Sequence, residues 1–302
     1  MEAFVPGIYP RSEALVQATR DLDRGRTTPE AVADQVAQDR DALVSVQQQA
    51  GIDLLADGML TWQDTFRPLV EGSEGLETGA LTRFLDTNTF YRAPNATSAS
   101  PHLRAPLGAE YVAPLPGPRL VTLPSPFALS LGTGISVKTV AEGVLKPALD
   151  GLGDVELVVL SEPFLSREDD PSLADLAEAL AVLAAGPKLA LWLTFGSASR
   201  LLREGIADLP VDGIGIDFYA TPATDLPDGF DKLLLAGVLD ARNSTLEDPR
   251  EIASFAGSLR ARGVEEIALV PNGDLQYVSE AIAREKLGRL GAAKTASVEE
   301  AA

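Results

Sequence analysis

Short apolar runs recur along the chain, and each ends in a polar or charged residue. The clearest three lie between Lys188 and Asn243 and read LALWLT, GIGID and LLLAGVLD. Runs this short, rich in Leu, Val and Ile and without alternating polar positions, are typical of parallel strands buried on both faces. Amphipathic segments follow at 198–206 and 248–262. The pattern therefore predicts repeated strand–helix–strand units.

Five further buried strands are predicted from the same pattern, at 4–9, 52–55, 119–123, 155–160 and 266–270. Helices are predicted at 137–149, 171–185 and 277–290, and a long one begins at Thr28-Pro29, an N-cap followed by a proline suited to the first helical position. The segment 93–118 is rich in Pro, Ser, Ala and Gly and has no periodicity, so we expect a long excursion there.

Eight buried strands with helices between most of them, in a chain of 302 residues, predict an α/β fold, a single (β/α)₈ TIM barrel. The barrel is expected to cover residues 1–290, and residues 291–302 to form a frayed tail. No linker divides the chain into two domains.

The charge balance narrows the classes of partner. Lys and Arg number 25 against 44 Asp and Glu, which gives a net charge of −19. Such a surface repels nucleic acid and anionic membranes, so neither is expected as a partner. The acid excess fits either an ordinary acidic protein or adaptation to a salt-rich cytoplasm, where self-repulsion is screened.

The chain has no Cys and one His, which excludes disulfides and thiolate-bound zinc; no metal site is predicted. His102 lies in the irregular segment and is expected to be a loop residue. No apolar run approaches the ~20 residues of a membrane helix. The first 15 residues contain acids and prolines and lack the apolar core of a signal peptide. A soluble, cytoplasmic protein is expected.

Polar residues follow the predicted strands, and in a barrel these strand ends converge on one mouth. The predicted substrate-binding residues of this mouth are Arg11, Asp57, Asn88, Glu162, Asp217, Asp240, Arg242 and Asn243, with Tyr9, Asp86, Ser125, Thr194 and Asn272 as further candidates. The carboxylates could act as acid, base, amine anchor or Mg²⁺ ligands, or each could cap a helix or satisfy loop amides. No catalytic residue is assigned.

Within this set, we expect Glu162 and Asp217 to face one cavity, with Arg242 close enough to offset part of their charge. Pro163 favours an extended conformation at Glu162, which keeps that residue on the strand axis. The alternative is that Arg242 pairs with Asp240 and only braces its loop.

Six segments resemble motifs of the cobalamin-independent methionine synthases. They occur in the family's order and are GIYPRSEAL (7–15), TRFLDTNTFYRAP (82–94), SEPFL (161–165), LTFGS (193–197), LPVDGIGIDF (209–218) and LAGVLDARNSTLED (235–248). That family is built from two related barrels, and the last three segments are closer to its N-terminal barrel. The resemblance implies that the zinc barrel's His-x-Cys position is occupied here by Leu193-Thr194-Phe195.

The resemblance implies methyl transfer from methyltetrahydrofolate to homocysteine, in methionine biosynthesis. Without the zinc ligands, we expect an N-terminal-type component that works with a separate zinc-bearing catalytic barrel and is not active alone. No tightly bound cofactor is expected, and methyl-folate is a possible ligand. The alternatives are a zinc-independent methyltransferase using a protein-bound methyl donor, and a stand-alone barrel enzyme acting on another small carboxylic substrate.

Overall fold

The computed structural model describes residues 1–169 and 171–301, with side chains through Ala296. The strands are β1 Glu2–Ala3, β2 Ser73–Glu74, β3 Leu76–Arg83, β4 Phe90–Ala96, β5 His102–Leu103, β6 Leu120–Pro124, β7 Leu157–Glu162, β8 Lys188–Leu193, β9 Gly213–Asp217, β10 Leu233–Leu239 and β11 Ile267–Pro271.

The α-helices are α1 Glu13–Asp23, α2 Pro29–Gln49, α3 Arg67–Gly72, α4 Pro126–Thr133, α5 Val137–Val140, α6 Lys146–Asp150, α7 Leu173–Leu183, α8 Ser199–Arg203, α9 Pro249–Ala261 and α10 Glu280–Ala301, and a π-helical turn, Ala141–Leu145, joins α5 to α6. Side-chain caps explain where α2, α4 and α9 begin. Thr28, Ser125 and Asp248 each accept a hydrogen bond from a backbone N–H in the first turn of the helix that follows. No helix within the described residues is both long and apolar enough to cross a membrane.

Seven of the strands form one parallel sheet, in the order β1-β11-β10-β9-β8-β7-β6. Every residue of β6, β7, β9 and β11 is buried. This burial explains why their sequences are apolar runs without alternation. The expected α/β class with parallel buried strands is confirmed.

The eighth expected strand, at 52–55, is reduced to two isolated bridges. Leu54 bridges to Phe4 beside β1, and Leu55 bridges to Arg119 beside β6, both in parallel. The Asp53 N–H donates to the Ala3 carbonyl at 2.9 Å, and the Leu120 N–H donates to the Leu55 carbonyl at 3.0 Å. The short segment 54–55 thus contacts both edges of the seven-stranded sheet.

Two local expectations, for the first strand and for the end of the closing helix, were wrong. The first strand ends at Ala3, because Gly7 at φ 83° turns the chain out of an extended path. The segment 76–96 forms an antiparallel hairpin of β3 and β4, a two-stranded sheet outside the main one. The closing helix continues past Leu290 to Ala301, because Ala293 is buried and Lys294 pairs with Asp53 at 2.8 Å. Ala302 of the expected tail lies outside the described residues.

Candidate functional site

Asp217 is the last residue of β9, and its side chain is fully buried. Its Oδ2 accepts from Arg242 Nη2 at 3.0 Å, and its Oδ1 accepts from Asn272 Nδ2 at 3.1 Å and from the Tyr219 N–H at 2.9 Å. Burial raises the pKa of Asp217, while Asn272, Arg242 and Tyr219 act in the opposite direction. The carboxyl is thus removed from water yet surrounded by donors.

Arg242 lies in the loop after β10, two residues beyond Asp240. Asp240 Oδ1 accepts from the Arg242 N–H at 3.1 Å, and the two side chains approach to 3.8 Å. The Arg242 guanidinium also lies over the Phe195 ring, 5.1 Å from its centroid, a cation–π geometry. Arg242 therefore contacts both aspartates, and the shorter contact is to Asp217.

Asn272 follows β11 and fixes the loop that carries Arg242. Its Oδ1 accepts from the Ala241 N–H at 2.9 Å, and its Nδ2 donates to Asp217 and, at 3.4 Å, to Asp240. We call Asp217, Asp240, Arg242 and Asn272 the Arg242 cluster. It joins the carboxyl ends of β9, β10 and β11, as expected for adjacent parallel strands.

A row of aromatic rings borders the Arg242 cluster. Phe195 lies 5.9 Å from Tyr277 and 5.8 Å from Phe84, and Phe84 lies 5.8 Å from Phe164, all edge to face. Phe84 immediately follows β3, so the hairpin contacts the loops that follow β7 and β8 of the parallel sheet. We call Phe84, Phe164, Phe195 and Tyr277 the aromatic row. Sequence reasoning missed it, because its members come from four separate segments.

Asp274 is a buried carboxyl beside this row that sequence reasoning also missed. It accepts from the Ile8 N–H at 3.1 Å, from Gln276 Nε2 at 3.2 Å and from Tyr277 Oη at 3.3 Å. A Cβ on Gly7 would stand 2.0 Å from its Oδ1, so the chain must carry glycine there. Burial raises the pKa of Asp274 to about 6 and, together with Asp274, raises that of Tyr277.

Glu162 forms no side-chain hydrogen bond or ion pair with the Arg242 cluster within the described residues. It ends β7, is 1% exposed, and accepts from the hydroxyl of Ser125 and from the N–H groups of Phe164 and Leu165 at 2.8 and 2.9 Å. Burial raises its pKa. These three donors all follow the ends of β6 and β7, so Glu162 braces the chain reversal after its own strand.

The remaining predicted residues are dispersed. Asp57 accepts from the N–H groups of Met59 and Ala113 at 2.9 and 3.0 Å, and burial raises its pKa. Asn88 is exposed at the hairpin tip, and Asn243 is exposed and accepts from the Thr245 N–H at 2.9 Å. Burial lowers the pKa of the half-buried Arg11, which forms no ion pair within the described residues.

Comparisons with known proteins agree with this architecture. The chain is 26% identical over 252 residues to a 5-methyltetrahydropteroyltriglutamate–homocysteine methyltransferase of Halalkalibacterium halodurans, a match that covers 74% of this chain and 32% of the relative. It is 24% identical over 312 residues to a methionine synthase of Saccharolobus islandicus, covering 94% and 90%. No family model matches.

A solved structure of a methionine synthase has a similar fold. The B12-independent methionine synthase from Shewanella sp. W3-18-1, solved with selenomethionine, matches with a TM-score of 0.76 at 16% identity and covers 91% of each chain. The chain is thus similar in sequence to methionine synthases and in fold to a B12-independent methionine synthase. It spans about a third of the Halalkalibacterium relative and most of the Saccharolobus one.

At residues 193–195, where the resemblance implies the zinc ligands of methionine synthases, the side chains do not fit a zinc ion. Leu193 and Thr194 are buried at 1% and 3% exposure, and Phe195 belongs to the aromatic row. Across the part of the chain that the structure describes, no three His, Cys, Asp or Glu side chains group closely enough to hold a metal. His102 is exposed and lies 3.7 Å from Glu74 on the short sheet of β2 and β5.

Proposed function

We propose that this chain is a barrel of the methionine synthase type that acts in methyl transfer from methyltetrahydrofolate to homocysteine. In this proposal it is an N-terminal-type component that binds the methyl-folate, and a separate zinc-bearing barrel activates homocysteine. The relationship to methionine synthases supports the reaction class. The lack of cysteine in the sequence supports this division of roles between two barrels. Protein zinc sites commonly use cysteine thiolates as ligands, and a bound zinc ion lowers the pKa of a substrate thiol.

The observation that supports the proposal most strongly is how neighbouring side chains hold Arg242. Its guanidinium is held by the buried carboxylate of Asp217 on one edge and rests on Phe195, while 34% of its side chain remains exposed. A guanidinium has five N–H donors in a fixed plane, so the donors not bonded to Asp217 can bind an anion. Because its orientation is fixed before binding, little side-chain entropy is lost when a carboxylate docks.

A folate offers the two chemical groups that this surface suits. Its glutamate carboxylates match Arg242, and its flat pterin ring matches Phe164 and Tyr277, the two half-buried rings of the aromatic row. Arg11, at the end of the first loop, forms no ion pair within the described residues and is proposed to bind a further carboxylate. Asn88 and Asn243, each exposed on a loop, are proposed to contact the ligand's polar edges.

The proposal also extends to the closure of the barrel and to the other predicted residues of its mouth. We infer that the two bridges at Leu54 and Leu55 close the seven-stranded sheet into an eight-stranded (β/α)₈ barrel. Asp57, Glu162 and Asp240 then belong to the rim of one mouth, where the first two brace its loops. A cytoplasmic location goes with this function.

Methyl-folate binding by the purified chain tests the proposal. We expect saturable heat release on titration with methyltetrahydrofolate, and Arg242→Gln to weaken the affinity by about 30-fold or more, since losing a charge-assisted bidentate contact costs ~2 kcal/mol. Arg20→Gln, an exposed arginine on α1, is the matched control and should bind as wild type does. Equal affinity of wild type and Arg242→Gln would show that the ligand does not use this surface.

A further inference from the structure

The hairpin of β3 and β4 carries an apolar and basic outer face. In its register Leu81 is opposite Arg92 and Arg83 is opposite Phe90, and cross-strand partners point to the same side. All four side chains are exposed, Leu81 by 62% and Phe90 by 55%. We call these four residues the hairpin face. Two arginines beside two exposed hydrophobic side chains are unusual on a chain with a net charge of −19.

A cavity of the opposite character lies on another part of the surface, where the N-terminal half of α9 packs beside β9 and β10. Its volume is about 190 Å³, and it is lined by Phe218, Tyr219, Gly237, Val238, Glu247, Asp248, Glu251, Ile252 and Phe255. Phe218 and Phe255 form an edge-to-face pair at 5.1 Å. We call it the α9 cavity. Cavities of about 150 Å³ accept benzene, so one phenyl ring fits.

The charge of the α9 cavity comes from its rim. Glu247 is neutralised within the fold, because the fully buried Lys286 donates to both of its carboxylate oxygens at 3.0 and 2.8 Å. Asp248 and Glu251 are exposed and form no ion pair within the described residues. The cavity therefore presents an aromatic floor with two free negative charges at its entrance.

These two features contain three of the four large hydrophobic side chains that are exposed in the described part of the chain. Leu81 and Phe90 belong to the hairpin face, Tyr219 at 53% exposure lines the α9 cavity, and Leu131 lies outside both. One feature is a projecting apolar face with two positive charges, and the other is an apolar recess with two negative charges. The hairpin face and the α9 cavity are therefore complementary in shape and in charge.

We propose that the hairpin face of one copy docks into the α9 cavity of a second copy of this chain. Phe90 enters the recess, and Arg83 and Arg92 meet Asp248 and Glu251. Elsewhere the two copies repel each other, but at ~0.15 M salt that repulsion is screened beyond ~8 Å, while contacting charges are less affected. In a dimer with twofold symmetry the contact occurs twice, once for each hairpin.

Sedimentation at about 0.15 M salt tests this proposal over a range of protein concentrations. Wild type should show a concentration-dependent dimer, and the double variant L81S/F90S should raise the dissociation constant by about 100-fold, since apolar anchors in a recess dominate such interfaces. L131S is the matched control, an exposed leucine on α4 outside both features, and should dimerise as wild type does. Circular dichroism checks that each variant is folded.

Mixing two variants identifies which surfaces meet. E251K alters the cavity rim and leaves the hairpin intact, whereas L81S/F90S does the reverse, so neither should dimerise well alone. In a mixture one intact hairpin meets one intact cavity, and heterodimers should form. A monomeric wild type, dimers unaffected by L81S/F90S, or a mixture that stays monomeric would each overturn the proposal. So would loss of binding to a zinc-bearing barrel on L81S/F90S with self-association unchanged, which would assign the hairpin face to that partner.

Discussion

Asp274 should make the stability of this protein depend on pH near neutrality. Burial raises its pKa from 3.8 to about 6, and a pKa that differs by one between the folded and unfolded states corresponds to ~1.4 kcal/mol. Since the folded-state pKa is the higher one, the stabilising contribution is complete below pH 3.8 and is lost as the pH rises through about 6. The whole loss is about 3 kcal/mol, of which ~1.4 kcal/mol falls above pH 5.

Asp274→Asn removes the ionisation and keeps the shape. The amide oxygen can still accept from the Ile8 N–H. The amide nitrogen can donate to Tyr277 Oη and, once the Gln276 amide turns over, to Gln276 Oε1, so the hydrogen bonds can rearrange without an unpaired group. The variant should therefore gain stability relative to wild type by ~1.4 kcal/mol between about pH 5 and pH 7.5. This range lies above the isoelectric point of 4.4, so the protein keeps its net negative charge.

Urea denaturation of both proteins at several pH values measures this difference directly. Comparing each variant with wild type at the same pH cancels the titration of all other groups. Gln276→Ala is the control, because it removes a donor to Asp274 but keeps the carboxyl, so its pH dependence should persist. If the difference in unfolding free energy between wild type and Asp274→Asn stays constant within ~0.3 kcal/mol across the pH range, protonation of Asp274 is not linked to stability.

Three further variants, one of them with a matched control, test individual contacts. Gly7→Ala should destabilise the fold by more than ~2 kcal/mol, because it adds a clash with Asp274 to the left-handed strain at φ 83°. The control Gly134→Ala, at φ 68° with open space around it, should cost ~1 kcal/mol, and the midpoints of urea unfolding compare the two variants. Glu162→Ala should lose ~2–3 kcal/mol of stability with unchanged ligand affinity of the folded protein, and a lost affinity would instead place Glu162 at the ligand. Lys286→Met should cost ~3–5 kcal/mol, since it leaves the largely buried Glu247 uncompensated; a thermally unchanged variant would contradict this.

The sequence identifies the parts of the site that depend on local pattern. The runs that became β9 and β10 are apolar up to the strand ends, so the sequence places Asp217 and Asp240 at those ends. Adjacency of parallel strands then places Arg242 near Asp217, a contact of 3.0 Å. These inferences require only strand burial and chain order.

The rest depends on contacts between distant segments. Asp274 meets Ile8 across 266 residues of chain, and the aromatic row combines residues of four loops. The hairpin gave no clear strand pattern because most of β3 and β4 is exposed, so neither strand shows an alternation of buried and exposed positions. The sequence also did not show that the turn of Pro163, Phe164 and Leu165 directs backbone donors onto Glu162.

Methionine formation by the purified chain tests the central claim most directly. The chain is supplied with homocysteine and methyltetrahydrofolate in chelator-treated buffer, and then with a zinc-bearing methionine synthase barrel added. We expect no methionine from the chain alone, because a thiol of pKa ~8.5 is only a few per cent ionised at pH 7 without a metal. We expect the pair to exceed the zinc barrel alone, and Arg242→Gln to remove that gain. Turnover by this chain alone would contradict the account and favour a zinc-independent methyltransferase.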